Sequence, residues 1–309
     1  MKFLLYVLGR IHYALWVLAG VVVVTFFIRP PGDPARVLLG QHADSVSVAA
    51  MREQLGLDRP LYEQLFLYGK NIVTDGDLGR SIVTRRPVTE IISERLPATV
   101  LLASASMAIA ILGGIALGLV ATIRPNSWID TASMSTSLLG ISLPSFVVGL
   151  LFILVFGVTL EWFPNSGYID RGWQYLTLPL ITLAIRPMSI IARVTRSSML
   201  DVLGQDYVRT ARAKGLSMPT VYVRHALRNA LNPVVTTISA WFAGLLAGTY
   251  FIEFVFNWPG IGYASFTAIT QLDYPVIQGT VLLTAVIFVV TNVVADIIYS
   301  ILDPRIRLR

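Results

Sequence analysis

Five stretches of the chain carry no Asp, Glu, Lys or Arg: residues 11–28, 98–123, 131–160, 229–252 and 274–295. Each is long enough for a helix to cross a hydrocarbon core about 30 Å thick. A sixth stretch, residues 173–192, is interrupted by Arg186, and its flanks require a crossing if the topology is to close. Backbone groups in lipid must be satisfied internally, and the strict alternation of a barrel strand is absent, so the crossings are expected to be α-helical. The pattern predicts an all-α membrane protein with six transmembrane helices. Four segments follow. Residues 1–28 form an N-terminal tip and first helix, 29–97 an external loop, 98–302 a five-helix core with a cytoplasmic loop at 193–233, and 303–309 a basic tail.

Composition supports the bilayer as solvent. The 309 residues are 55% hydrophobic and 14% charged, where soluble domains carry about 25% charged residues. An ordinary soluble domain and a disordered chain are both excluded. With no cysteine, disulfides, thiolate metal sites and cysteine nucleophiles are excluded as well. Lys2 and Arg10 ahead of an apolar run suggest a signal peptide, but Phe26-Phe27-Ile28-Arg29-Pro30 lacks a small-residue cleavage pattern. The first segment is therefore expected to stay as an anchor.

Charge sets the orientation. Arg193, Arg196, Arg209, Arg212, Lys214, Arg224 and Arg228 face only Asp201 and Asp206 in the loop after the fourth segment, and the tail adds Arg305, Arg307 and Arg309. Six crossings place these and the N-terminus on one side, which the positive-inside rule makes the cytoplasm. The loop at 29–97 has nine basic and nine acidic residues and lies outside. Nucleic acid is not needed to explain the net charge of +6.

Turn chemistry divides the two polar loops. Outside, short helices are predicted at 47–55, stopped by Gly56, and at 61–73, entered through Pro60, before the turn Asp75-Gly76-Asp77-Leu78-Gly79. This small helical cap either contacts a soluble partner, gates the external mouth, or simply packs as a lid. Inside, Asp206 is expected to cap a helix at 207–214, with Gly215 in the left-handed position after its end. Ser217 is expected to cap a second helix that begins through Pro219 and stops at Asn232-Pro233. Val223, Leu227, Ala230 and Leu231 share one face of it, Arg224 and Arg228 another. Pinned between two spans, the pair is poorly suited to follow a DNA groove. It is either a loop that binds lipid headgroups or a rigid knob that docks into a cytoplasmic partner.

Several chemistries are absent. No GxxxxGK[ST] phosphate cradle, HExxH zinc motif or G-x-S-x-G elbow occurs, and His12, His42 and His225 lie on three separate segments. Ionisable residues near spans are candidates for function: Arg186 and Asp296 towards the inner ends, Glu253 at the outer end of the fifth. None sits clearly at the midplane, where a secondary carrier holds its coupling ions. Pro144 and Gly140 could break the third segment, whose Ser133, Ser135, Thr136, Ser137, Ser142 and Ser145 suit close helix approach or a wet lining. An ATP-driven permease, a gated pore and a secondary carrier all remain open on these residues alone.

The stretch Asp206-Tyr207-Val208-Arg209-Thr210-Ala211-Arg212-Ala213-Lys214-Gly215-Leu216, continuing to Arg224-His225-Ala226-Leu227-Arg228-Asn229-Ala230, resembles the ATPase-docking "EAA" loop of ABC importer permeases. It is most similar to the B-type dipeptide and oligopeptide permeases. Glu-Ala-Ala is replaced by Arg209-Thr210-Ala211, and the later Ile-x-Leu-Pro by His225-Ala226-Leu227-Arg228, as is usual in the peptide branch. Ordered matches run along the chain. Pro31-Gly32-Asp33-Pro34-Ala35, Gly56-Leu57-Asp58-Arg59-Pro60-Leu61, Gly76-Asp77-Leu78-Gly79-Arg80-Ser81 and Arg95-Leu96-Pro97-Ala98-Thr99 resemble that family's N-terminal signature. The external stretches Glu253-Phe254-Val255-Phe256-Asn257-Trp258-Pro259-Gly260-Ile261-Gly262 and Asp273-Tyr274-Pro275-Val276-Ile277-Gln278-Gly279 resemble it too, as does Leu302-Asp303-Pro304-Arg305.

The resemblance implies a type I ABC importer fold in a bacterial plasma membrane, with both termini cytoplasmic. It implies a second homologous permease, two cytoplasmic P-loop ATPases that bind ATP and Mg, and an extracytoplasmic binding protein. This chain itself would hold no cofactor. Asp206, Arg209, Thr210, Ala211, Arg212, Ala213, Lys214, Gly215 and Leu216 would couple to the ATPases, while Glu253, Trp258, Pro259, Gly260, Gly262 and Asp273 would mark the external gate. Di- or oligopeptides are the implied substrates, with haem, nickel chelates or glutathione as alternatives.

Overall fold

A computed structural model describes residues 2–28, 34–39, 44–54 and 56–302. The motif parts at 29–33, His42, Leu55 and the tail 303–309 lie outside the described residues, as does the side chain of Asp296. The described chain is helical throughout, with no strand beyond an isolated bridge between Arg80 and Pro87. In chain order the helices are α1 (Lys2–Phe27), α2 (Pro34–Leu39), α3 (Ser45–Gln54), α4 (Leu61–Asp75), α5 (Val88–Ile123), α6 (Trp128–Ser142), α7 (Ser145–Phe152), α8 (Gln174–Leu203), α9 (Asp206–Ala213), α10 (Met218–Thr220), α11 (Arg228–Gly248), α12 (Tyr250–Val255), α13 (Ile261–Thr270) and α14 (Tyr274–Leu302). A π-helical stretch, Ile153–Thr159, continues α7, and another, Val221–Leu227, joins α10 to α11.

Among the described residues four helices are long and apolar enough to cross a membrane: α1, α5, α8 and α14. A fifth crossing is available if α6 and the α7 segment count together, bent by 103° at their junction. The third predicted segment is therefore broken. Leu143 is held extended (φ −87°, ψ 134°) by the ring that follows, and Pro144 (φ −59°, ψ 133°) opens α7. The fifth predicted segment, 229–252, is occupied by α11 and α12; α11 carries Asn229, Asn232, Thr236, Thr237 and Ser239 and is not in the strongly apolar set. α5 starts at Val88, ten residues before the expected 98, and runs through Pro97.

Other boundaries moved for local reasons. α3 begins at Ser45, because the carboxylate of Asp44 accepts from the Ser47 amide at 3.3 Å. The Ser47 hydroxyl, and then its amide, hold the Asp44 carboxyl below its ordinary range. α4 runs on to Asp75 and ends at Gly76 (φ 62°), whose N–H donates to the Asn71 carbonyl. Asn232-Pro233 does not stop a helix. α11 passes through it, and the one hydrogen bond that proline removes is set against Ala230 and Val234 buried on the same rod.

The chain packs as two compact units, residues 1–99 with 259–293 and residues 100–258 with 294–309. In the first, Val88, Ile92, Ile261, Ala268, Val276 and Ile277 form the core. The Gln278 amide donates to the carbonyls of Thr25 (3.0 Å) and Ile28 (2.7 Å), tying the end of α1 to α14. In the second unit α8 is the axis, against which α6, α7 and α11 pack. Gly113, Gly114 and Gly118 of α5 let that helix close onto Met188, Ile191 and Thr195 of α8. A methyl group on Gly118 would stand 2.5 Å from Thr195 Cβ and 2.7 Å from the Ala192 carbonyl oxygen. This Gly-x-x-x-Gly spacing is the small-residue contact by which helices approach closely in lipid.

Candidate functional site

The polar stretch at 206–230 folds into a knob at the end of α8. Gln205, not Asp206, holds the N-cap position of α9 (φ −75°, ψ 151°), and no side chain caps it. Asp206 is the first helical residue. Its carbonyl accepts from the Thr210 hydroxyl at 2.9 Å, and its exposed carboxylate lies 3.6 Å from the Arg209 guanidinium. An exposed pair at that distance adds little stability.

The end of α9 follows the expected chemistry. Gly215 is left-handed, at φ 75°. Its N–H donates to the Arg212 carbonyl at 2.9 Å and the Leu216 N–H to the Ala211 carbonyl at 3.4 Å, the paired bonds that close a helix end through a left-handed residue. Ser217 then takes the extended N-cap conformation, but its hydroxyl pairs with that of Thr220 at 2.9 Å instead of capping the backbone.

Two small cores hold the knob rigid. Val208 and Ala211 of α9 bury against Val221, with Val202 and Leu203 of α8 packed around them. Behind them Met199, Ala226 and Ala230 are enclosed by Leu119, Val202, Leu203, Tyr222 and Leu227. The Asn229 amide donates to the Tyr207 hydroxyl at 2.8 Å, and Tyr222 donates to the Thr122 carbonyl at 3.1 Å. Packed side chains and these hydrogen bonds thus join α9 to α8, α11 and the end of α5. Of the residues assigned to coupling, Ala211 is internal, whereas Asp206, Arg209, Thr210, Arg212, Ala213, Lys214, Gly215 and Leu216 are exposed. Leu216, Met218 and Val223 give the outer surface an apolar component at 39%, 48% and 61% exposure, framed by basic side chains. No atom lies within 4 Å of where a Gly215 side chain would begin.

Sequence reasoning missed the ion pair beneath the knob. Arg196, two turns inside the end of α8, donates through Nε and Nη2 to Asp130 Oδ1 and Oδ2, both at 2.5 Å. Asp130 is 4% exposed and Arg196 25%. The same carboxylate accepts from the Asn126 N–H at 2.9 Å, while Ser127 Oγ accepts from the Asp130 N–H at 3.5 Å. The local signal was legible: Ser127-x-x-Asp130 ahead of an apolar run is a capping pattern. The partner was not, being 66 residues away. Arg186, on the same helix, sets its guanidinium carbon 5.7 Å from the centre of the Trp241 ring, a cation–π contact with α11.

The residues assigned to the external gate fall in both units. In the second, Glu253 is fully buried and accepts from the Thr249 hydroxyl at 2.6 Å. Trp258 is also fully buried, donates its backbone N–H to the Glu253 carbonyl at 2.8 Å, and meets Tyr168 edge-on with centroids 4.7 Å apart. In the first unit, Pro259 and Gly260 precede α13, Gly260 as its N-cap, with Gly262 buried in its first turn. The Ile261 N–H just inside donates to the Thr99 hydroxyl at 2.8 Å. Asp273, 3% exposed, accepts from the Ser81 hydroxyl at 2.5 Å and the Ile82 N–H at 3.0 Å. It fastens the turn after Gly79 to the start of α14.

Residues 114–308 match the family described as the binding-protein-dependent transport system inner membrane component, and residues 1–103 match its N-terminal domain. The chain belongs to this family. It is 44% identical over 290 residues to the glutathione transport system permease protein GsiC of Escherichia coli K12, covering 94% of each chain. The GsiC of Salmonella choleraesuis matches at the same identity and coverage. Among solved structures, the MetNI methionine ABC transporter superposes with a TM-score of 0.56 at 17% identity, over 70% of this chain and 97% of that one. An amino acid ABC transporter solved with histidines gives 0.52 at 17% identity, over 70% and 94%. The fold is that of an ABC importer permease, and the chain is a membrane permease subunit.

Proposed function

We propose that this permease imports glutathione or a similarly small peptide, and that partner ATPases drive it through the knob at 206–230. The observation that carries the coupling half is the rigid, outward-facing helix–glycine–helix unit, cored by Val208, Ala211 and Val221 and continuous with α8 and α11. The substrate half rests on relatives named as glutathione transport permeases at 44% identity over 94% of the chain. These names favour the glutathione alternative over the di- or oligopeptides that the resemblance implied, and glutathione is itself a tripeptide.

The proposed partners are a second homologous permease, two P-loop ATPases that supply ATP and Mg binding, and an external binding protein that delivers substrate. This chain has no phosphate cradle of its own, so hydrolysis is assigned to those partners. With the basic loops in the cytoplasm of a bacterial inner membrane, closure of the ATPases presses on α9. α8 and α11 tilt with it and open the pathway outward; hydrolysis returns them. Purifying the tagged chain from its native membrane in mild detergent, with mass spectrometry of stoichiometric companions, tests the assembly. A second permease and P-loop ATPases are expected. Recovery of the chain alone after cross-linking would overturn the reading and favour a pore or carrier.

A further inference from the structure

The external segment contains a helix that does not behave as a soluble one. On α4, Tyr62, Phe66 and Val73 are 71%, 72% and 84% exposed, and at 3.6 residues per turn they fall within an arc of about 40°. Lys70 and Glu63 border the stripe, about 40° and 60° beyond Phe66, and Asn71 lies about 140° from Phe66. The neighbouring side of the apolar stripe is occupied. Tyr68 meets Phe26 of α1 with ring centroids 5.8 Å apart, and Val22 stands beside Gly69, where a methyl group would lie in ordinary contact, 3.8 Å from Val22 Cγ1. Val22 precedes Phe27, the last residue of α1, by five positions, or about 7.5 Å along the axis at about 1.5 Å per residue. α1 is one of the helices apolar enough to span, and at that level it exposes Val24 and Phe27 to 62% each. α4 is thus packed against the last turns of the apolar stretch Leu8–Phe27, which is long enough to span.

We propose that α4 lies in the interfacial zone of the bilayer beside the last turns of α1, with Tyr62, Phe66 and Val73 set into lipid and Lys70 and Glu63 turned towards headgroups and water. Amphipathic helices with aromatic residues on the apolar face adopt this position. This placement depends on α1 crossing the membrane and not on the substrate, the ATPases or the knob.

The absence of cysteine makes the test direct. Phe66→Cys, Val73→Cys and, as a control, Asn71→Cys are labelled with a nitroxide in the complex purified through this chain and reconstituted in lipid nanodiscs. Collision rates are then measured with oxygen, which partitions into lipid, and with a water-soluble nickel chelate. At positions 66 and 73 oxygen is expected to dominate several-fold, with the order reversed at 71. Nickel dominance at 66 and 73 would overturn the proposal. So would protection from both reagents, which would seat a protein there. Because the readout is depth and not transport, a failed glutathione assignment leaves it intact.

Discussion

Gly215 shows how a residue-scale requirement becomes a functional one. Its φ of 75° costs a side chain about 1–2 kcal/mol, yet the space beside it is open, so Gly215→Asp is expected to leave the protein folded and inserted. The new carboxylate projects from the outer surface of the knob among Arg212 and Lys214, where the ATPase is proposed to sit. Uptake is expected to fall to background with normal protein in the membrane fraction; normal uptake would detach the knob from coupling. The Asp130–Arg196 pair makes a different prediction. Breaking a buried pair costs about 3–5 kcal/mol; with Arg196 a quarter exposed, Arg196→Ala is expected to cost about 2 kcal/mol in thermal unfolding of the purified complex. Asp130→Ala/Arg196→Ala is expected to recover part of that loss, because no charge is left alone. Gly215 was legible because its conformation is dictated by its immediate neighbours, whereas Asp130 and Arg196 meet only through the packing of α6 on α8.

At the scale of elements, the glycines of α5 set the distance to α8. Gly118→Val would drive a branched side chain against the Ala192 carbonyl, a backbone atom that cannot move aside as a side chain would. Overpacking of this kind costs about 1–3 kcal/mol, so a lower melting temperature and poorer yield of assembled complex are expected. Gly9→Val, with nothing within 4 Å, serves as the control. Apolar runs located most helices, since hydrophobicity over twenty residues is a strong signal. They did not reveal where a run bends. The 103° break before Pro144 is legible in the sequence only as a candidate interruption, because proline ends some helices and is carried through in others. Pro97, Pro179, Pro187 and Pro233 all lie inside helices. Tertiary packing decides between the two outcomes, and a single sequence does not display it.

For the whole molecule, the fold is that of an ABC importer permease in which the knob at 206–230 runs directly into α8 and α11. Family membership was legible because ordered motifs run the length of the chain, while the substrate was not, since no single stretch reads as a binding site. Glutathione is therefore expected to be taken up in preference to longer peptides, and excess unlabelled glutathione to compete more strongly than an equal concentration of a pentapeptide. The decisive measurement is uptake of radiolabelled glutathione into proteoliposomes. They would contain the complex purified through this chain, with its binding protein outside and ATP on the side of the ATPases. Uptake that requires ATP, and is lost when only Gly215→Asp is introduced into an otherwise intact complex, is the predicted result. Uptake that proceeds without ATP, or that is unaffected by Gly215→Asp, would contradict it.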